Sequence, residues 1–538
     1  MGIASILAEN QRLRRDLVTK DSAHAAALAE RDARLAEREA QIAALTVSNE
    51  DMAQRLDLLR IKASDRRNQR HTEDDTAVIP LPFVFNEPSP PPRLPQPEPV
   101  ESVERPAVRA PRIPSKRRDL SQPSSRPTRK LRCAIDPAAA CARCGGPLKV
   151  FAVAHNYRLE WVPGHFETLD IERERCACPA CPSAGVLVAP PPSFALPKAM
   201  CGNGLLARVL VDKFADRIPL NLQAKRMARE GEEFSTTTLS DWVLHAAAPG
   251  LLGRIAAAID ERLMRGAWLQ ADDTGYPVQD GTDGQLRKGR LWAVTDQAEV
   301  RYHFTDTKEG HNPASFLAKY AGKLLLVDGG SEFNLAVAQK GLLRAGCWSH
   351  LRAYFFDARH HHPREARLAL GTLRDLFAIE AGLVAATLED RRSVRDLDAR
   401  PLVDGLYAWM LTLRTATRPT SLLGQALTYA INGREFFERF LDHPELPMHN
   451  NRSELASRAS ALRGPVVGRK VWLFAGSEGG AHAGATMFTL IESCAMQGID
   501  PWAYLADVLS RIQEHPVSRI HELTPMNWRI AQEGRKPA

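Results

Sequence analysis

The sequence contains no run of about 18 apolar residues, so it offers no helix able to cross a membrane. Residues Met1 to Asn10 lack the basic-then-apolar pattern of a secretory leader, and a cytoplasmic protein is expected. Residues 4–62 lack both proline and glycine, which excludes turns there and leaves one long helix. Between Arg105 and Arg132 acids are almost missing: ten Lys or Arg stand against the single acid Asp119. Such a run suits a polyanion partner through counterion release, and it also suits a plain solvated linker. A paired-cysteine disulfide pattern is missing too. Of nine cysteines, four form two Cys-x-x-Cys pairs, which read as metal ligands before they read as bridges. With 538 residues the chain is too long for one core, and at roughly 100–200 residues per domain it should form three or four units.

The proline-free segment is rich in Ala, Leu, Glu and Arg. Leu28, Leu35, Ile42, Asn49 and Leu56 recur every seven residues, and Leu45, Met52 and Leu59 fall three later, completing a heptad seam. Ile6 and Leu13 belong to a frame offset by one residue, as a stutter would produce. Asn49 on a seam would cost stability and fix register and partner number. The pattern fits a self-associating coiled coil or a long helix packed on its own domain. From about Ser64 to Arg132 the composition turns to Pro, Ser and Arg, and Pro88–Pro99 alternates prolines with polar residues, so this stretch reads as an extended linker.

Cys141-Ala-Arg-Cys144-Gly-Gly opens the next unit. Strand-like runs at Lys149–Val153 and Tyr157–Val162 follow, then Cys178-Pro-Ala-Cys181. Two knuckles about thirty residues apart fit a four-thiolate structural zinc ribbon on Cys141, Cys144, Cys178 and Cys181. Cys176 competes with Cys178 for a ligand place, and His155 and His165 are further alternatives. After Ala189–Pro192 the pattern becomes helical. Gln223–Arg229, Glu230-Gly231 and Ser235-Thr-Thr-Thr-Leu-Ser-Asp-Trp-Val243 read as a helix-turn-helix, with Gly231 ending one helix and Ser235 or a neighbouring Thr capping the next. Thr237 and Thr238 would then face a DNA groove, although helical pairs of this spacing also occur in proteins that never touch DNA.

From Gly266 short strand-like runs take over. Trp268–Thr274 is followed by Gly289–Thr295 and Val300–Thr305, then a helical stretch near Pro313–Tyr320, then Lys323-Leu-Leu-Leu-Val-Asp328-Gly-Gly330 and the run Ala345–His350. Three strands followed by alternating helices and strands is the order of a ribonuclease H-like α/β fold. Asp272 and Asp328 each end a strand-like run, and two such carboxylates can share hard divalent cations. Either one by itself reads equally as a turn residue. His449-Asn450-Asn451-Arg452-Ser453-Glu454 then precedes a helix with Ala456, Ala459 and Leu462, from which Glu454 could point back at the two aspartates.

This order of segments resembles the insertion-sequence-66 group of transposases, the large catalytic subunit type, from about Cys141 to Trp528. The matching segments are Lys213–Gln223, Ala271–Thr274, Gly346–His350, Gly468–Ser477, Gly479-Gly480 and Asp500-Pro-Trp-Ala-Tyr-Leu505. The resemblance implies an acidic-triad DNA transposase with Asp272, Asp328 and Glu454 as catalytic metal ligands. It implies two Mg²⁺ (or Mn²⁺) ions, cutting transposon ends and joining them to target DNA. It favours Asp272 over Asp273 through an Asp-x-Thr register. It gives His350, beside Cys347, a phosphate-positioning or proton-transfer role, and makes Arg469 and Lys470 phosphate contacts. Arg391, Arg392 and Arg395 in the helical stretch 351–441 would face DNA or solvent.

The fold class read from all this is multidomain α+β. It comprises a coiled coil (1–63), a Pro/Arg-rich linker (64–132), a zinc ribbon (133–195) and a helix-turn-helix-like region (196–262). A ribonuclease H-like core follows in two parts (263–350 and 446–495, the latter with Glu454) around a helical insertion (351–445), before a C-terminal helical segment (496–538). Expected partners are double-stranded DNA, further copies of the chain through the coiled coil, and small accessory proteins of the same element, in the bacterial cytoplasm at the nucleoid. Two positions depart from the family pattern, His449 before the paired Asn and Leu455 after the Glu. They keep open an inactive DNA-binding or assembly protein. A ribonuclease H-like nuclease or resolvase without strand transfer is the other alternative.

Overall fold

The computed structural model describes residues 3–65, 128–136, 138–162, 164–181, 185–279, 285–448 and 471–534. The chain divides into two compact units. One is built from the N-terminal helix and the helices within His350–Ala386 and Val394–Arg434; the other takes the described residues of Pro92–Ser349, Thr387–Ser393 and Glu435–Ala538. No described helix is long and apolar enough to cross a membrane.

The proline-free segment is one helix, α1 (Ile3–Asp65). Its heptad seam is uncovered: Leu35, Ile42, Leu45, Met52, Leu56 and Leu59 are each at least half exposed. A different face meets the rest of its unit, where Asp51 is buried and Arg418 reaches Glu50 at 2.8 Å and Asp51 at 3.6 Å. The two sequence readings of this helix are therefore compatible, because docking and seam use separate faces.

A small sheet follows, with β1 (Thr128–Cys133), β2 (Lys149–Val162), β3 (His165–Ala177) and β4 (Val186–Val188). β3 is central, pairing with β1 in parallel and with β2 and β4 antiparallel. The two strand-like runs seen in the sequence are one strand, β2, which carries its irregularity as a register shift between Val150 and Ala152. β1 lies inside the stretch that composition marks as linker. Charge explains its place: Arg129, Lys130 and Arg132 pair with Glu167, Glu172 and Glu174 of β3 at 2.8, 2.9 and 3.1 Å. The last cations of the basic run are thus engaged within the chain.

Four helices come next: α2 (Asn203–Phe214), α3 (Leu220–Arg229), α4 (Thr236–Ala246) and α5 (Leu252–Met264). Gly231 takes φ +88° in the turn between α3 and α4, a conformation that costs a glycine nothing. The Ser235 hydroxyl caps α4 by accepting from the Thr238 N–H at 3.0 Å. Ion pairs tie α2 to α3, with buried Arg208 on Glu230 at 2.9 Å and half-buried Arg226 on Asp212.

The larger sheet holds β5 (Trp268–Gln279), β6 (Leu286–Thr295) and β7 (Val300–Thr305), followed by α6 (His311–Phe316), β8 (Leu324–Val327), α7 (Asn334–Lys340) and β9 (Leu343–Gly346). Its order is β7-β6-β5-β8-β9, with β5–β6 and β6–β7 antiparallel and β5–β8 and β8–β9 parallel. β8 is apolar without alternation because both its faces are buried. Trp292 of β6 is fully buried against Phe316 and Phe333, and its indole N–H donates to Thr305 at 2.7 Å.

The stretch from 348 to 442 is all helix: α8 (Trp348–Ala358), α9 (Pro363–Gly382), α10 (Leu388–Val394), α11 (Arg400–Ala416), α12 (Leu422–Asn432) and α13 (Arg434–Asp442). Cys347-Trp-Ser-His350, read in the sequence with a strand-like run, instead begins α8. A π-helical turn at Arg395–Ala399 leads into α11. Arg395 is fully buried there and holds Glu380 with two bonds of 2.7 Å, so it faces neither DNA nor solvent. Arg391 and Arg392 donate to the carbonyls of Pro444 and Asp442. Arg395→Ala is expected to lower stability by about 3–5 kcal/mol, since Glu380 would be left without its cation. A thermal melt showing no loss would contradict this.

Then α14 (Glu478–Met496) and α15 (Pro501–Arg511) complete the second unit, with a 3₁₀ stretch at Val517–Leu523 and α16 (Pro525–Glu533). α14 is buried without a break from Ala483 to Cys494, so it is apolar nearly all round. It covers edge strand β7: Thr489 and Ser493 hydroxyls accept from the N–H groups of Tyr302 and Val300 at 3.0 and 3.1 Å.

Candidate active site and metal centre

β5 and β8 run parallel with Trp268 opposite Leu324, Leu269 opposite Leu325 and Gln270 opposite Leu326. The pairing ends at Gln270 and Leu326, two residues before Asp272 on β5 and two before Asp328, which follows the end of β8. β5 does not stop at Asp272 as the sequence suggests; it runs on to Gln279, paired with β6. β8 stops at Val327, so the pair sits where β5 loses its neighbour on one side. Both aspartates are half-buried. The Asp328 carboxylate accepts from the Gly330 N–H at 3.1 Å, and Arg344 braces the turn by donating to the carbonyls of Asp328 and Gly330. The Asp272 carboxylate accepts from the Asp273 N–H at 2.8 Å.

Asp273 points to the opposite face, as strand alternation requires. Its carboxylate is nearly buried and ion-paired with Arg290 at 3.0 Å and Lys308 at 3.1 Å. Lys308 also binds Glu332 at 3.1 Å. Against the cost of burial, these two carboxylates hold the Lys308 ammonium above the usual lysine range. Asp273 is thus already engaged by two cations.

His350 lies in the first turn of α8, four residues after β9 ends, and is half-buried; Cys347, just before the helix, is fully buried. Trp348 anchors this helix start, with its ring against Phe437 and Phe440 and its indole N–H donating to the Phe437 carbonyl at 2.9 Å. Glu454, Arg469 and Lys470, with His449 and Leu455, lie outside the described residues. Thr237 is exposed on the first turn of α4, while Thr238 is half-buried and its hydroxyl bonds Ser235 at 2.9 Å.

The two cysteine knuckles precede β2 and follow β3, and antiparallel pairing brings them to one end of the hairpin. The sulfurs of Cys141, Cys144, Cys178 and Cys181 all lie within 4.8 Å of one another. Backbone N–H groups at Arg143 and Cys144 hold the Cys141 thiol down to about 7. The hydrogen bond that the Cys181 thiol donates to Cys144, together with desolvation, pushes Cys181 up to about 12. Four sulfurs this close resist joint ionisation unless a cation lies among them, and the set fits a tetrahedral zinc ion. Cys176 stands outside the group, buried on β3 opposite Val150. His155 also stands outside it and bonds Asp170 at 3.0 Å.

Sequence reading did not find the partners of the β1 cations or of Arg395, nor the aromatic setting of Lys213. The first had a signal in the alternating acids Glu167, Asp170, Glu172 and Glu174 of β3; the others depend on partners distant in the chain.

The chain matches the family model described as Transposase IS66 family over residues 198–483, and the IS66 C-terminal element over residues 489–526. Among its relatives, the uncharacterized protein y4hP of Sinorhizobium fredii is 32% identical over 444 residues, covering 78% of each chain. Protein y4qI of the same organism is 31% identical over 408 residues, covering 72% of this chain and 74% of the relative. With more than half of its length matched to the first family model, the chain belongs to the IS66 family of transposases.

Proposed function

We propose that this protein cuts DNA at insertion-sequence ends and joins the exposed 3′-hydroxyl to target DNA, using Asp272, Asp328 and Glu454 on a ribonuclease H-like core. The observation that carries the reading is that the parallel pairing of β5 and β8 ends two residues before Asp272 on one strand and two before Asp328 on the other, which supports placing the two carboxylates side by side. The sheet order, with three antiparallel strands flanked by two parallel ones, supports the ribonuclease H-like assignment. Two carboxylates one strand apart offer oxygen ligands at a spacing suited to a cation pair about 3.5–4 Å apart. When bound, Mg²⁺ or Mn²⁺ supplies Lewis-acid chemistry at phosphorus. The chain's own part is positional. Asp328 is held by its turn and Asp272 by the mid-strand ladder, and Glu454 is the third proposed ligand. His350 positions a phosphate or takes part in proton transfer at the start of α8. Arg469 and Lys470 contact phosphates, and α4 presents Thr237 and Thr238 to a DNA groove. The four cysteines hold a structural zinc ion. The work is done in the bacterial cytoplasm, at the nucleoid. The deciding experiment is cleavage and joining of end DNA by wild type and the Asp328→Asn variant.

His449 and Leu455 favour a second reading, an assembly protein that binds ends without cutting them. A Mn²⁺ titration separates the two: wild-type binding that weakens in Glu454→Gln supports the enzyme, and equal binding supports the assembly role.

The uncovered seam of α1 fits a second copy of the same helix, with Asn49 setting the register. Leu35→Asp with Ile42→Asp is expected to shift the protein to monomers in sedimentation. Unchanged mass would remove α1 from the interface.

A further inference from the structure

Lys213 ends the last turn of α2 and opens the segment Lys213–Gln223. Its ammonium lies 4.4 Å from the centre of the Trp472 ring and 5.5 Å from that of Phe214. Burial alone pulls its pKa down to about 8. Neighbouring cations are arranged otherwise: Arg208 has Glu230, Arg226 has Asp212, Arg217 has Glu492 at 2.9 Å, and Arg262 has Asp296 and Glu299. Among the described residues no carboxylate forms an ion pair with Lys213. A half-buried ammonium held by aromatic faces alone is destabilising unless something anionic completes it.

Its surroundings say what that anion is. The Trp472 side chain neighbours the Tyr276 hydroxyl. Tyr276 is four residues beyond Asp272 on β5 and therefore on the same face of the sheet. Helix α14 comes close at that point, since a Cβ on Gly484 would meet the Tyr276 hydroxyl at 2.8 Å. Through Trp472, Lys213 thus stands near the level of Tyr276, about 13 Å along β5 from Asp272. A DNA strand with one phosphate at the acidic pair carries its next phosphates within that distance.

We infer that Lys213 is a DNA-phosphate contact of the strand held at the acidic centre, with Trp472 and Phe214 fixing its side chain. The inference rests on the proposed transposase function and adds a residue to its substrate path. Lysine serves here as a point charge, so the contact is independent of base sequence.

The test uses the zinc-loaded full chain and a fluorescein-labelled double-stranded oligonucleotide, with binding followed by anisotropy across a salt series. Lys213→Met is expected to weaken binding about tenfold and to make the log–log salt dependence shallower by about 0.9, one phosphate contact. Its melting temperature should equal or exceed that of wild type, because an unpaired buried charge is gone. Lys213→Arg should keep the wild-type salt slope. Two outcomes overturn the inference: an unchanged slope and affinity in Lys213→Met, or weaker binding in both variants accompanied by a lowered melting temperature, which marks Lys213 as structural. Wild-type protein that binds and cuts DNA while Lys213→Met binds equally well sinks this inference alone. Wild-type protein that neither binds nor cuts duplex DNA sinks the proposed function with it.

Discussion

Asp328→Asn is expected to reduce Mg²⁺-dependent cleavage of end DNA by a factor of about 10³ or more, which corresponds to about 4 kcal/mol of lost transition-state stabilisation. The fold should survive. The Asn side-chain oxygen can still accept from the Gly330 N–H, and Arg344 binds only backbone carbonyls of that turn. What disappears is the negative charge that a hard cation requires. Asp272→Asn should behave alike, because the proposed function makes it a ligand of the same cation pair. Asp273→Asn is the informative contrast: it should retain cleavage and lower stability by about 1–3 kcal/mol, since Arg290 and Lys308 lose their shared carboxylate. Cleavage assays with matched melting curves decide the matter. Full activity in Asp328→Asn would end the catalytic assignment, and loss of cleavage in a well-folded Asp273→Asn would transfer the first acidic role to that residue.

The second large effect concerns the cysteines. Purified protein should contain one zinc ion per chain by elemental analysis, and Cys178→Ser should lose it together with ordered structure at the cysteine end of β2 and β3. The reason is the poverty of that end's core. The sheet's small buried cluster of Leu169, Ile171 and Phe194, with Leu131 and Cys133 packed against it, lies further along the hairpin, where Leu169 and Ile171 face Arg158 and Asn156. Val150, Phe151 and Val153 are largely exposed. So little apolar burial cannot offset the entropy of ordering the hairpin end, whereas a structural zinc ion contributes about 10–16 kcal/mol of apparent binding energy at neutral pH. The far end of the hairpin should persist, because Leu159 and Phe166 belong to the main core of the unit. Amide exchange would therefore rise near Val150 and Cys176 and stay low near Leu159. Cys176→Ser should keep the metal. Absence of zinc, or retention of zinc by Cys178→Ser, would exclude the four-thiolate site.

Local signals were enough for much of the architecture. The absence of Pro and Gly, with a seven-residue apolar period, marked α1. Gly231 and Ser235 marked the turn between α3 and α4, and the unbroken apolar run before Asp328 marked a strand buried on both faces. The spacing of the cysteine pairs marked four candidate ligands. Each of these depends on backbone propensity or on side chains close in sequence, and such information lies in any short window. The end of β5 was misjudged because Asp272 and Asp273 look like strand terminators, and only pairing with β6 carries the strand through them.

Long-range pairing decided the rest. That Asp273 is engaged by Arg290 and Lys308 comes from contacts no single strand contains, and it supports the preference for Asp272 that the family resemblance implies. Arg395 looked like a surface cation until Glu380 was placed beside it, and β1 looked like linker until the acids of β3 were aligned with its cations. The choice of Cys178 over Cys176 likewise required the hairpin that brings both knuckles to one end. The physical cause is the same in all four cases. A charged or thiol side chain takes its role from the partner that offsets its desolvation, and that partner is chosen by the tertiary fold.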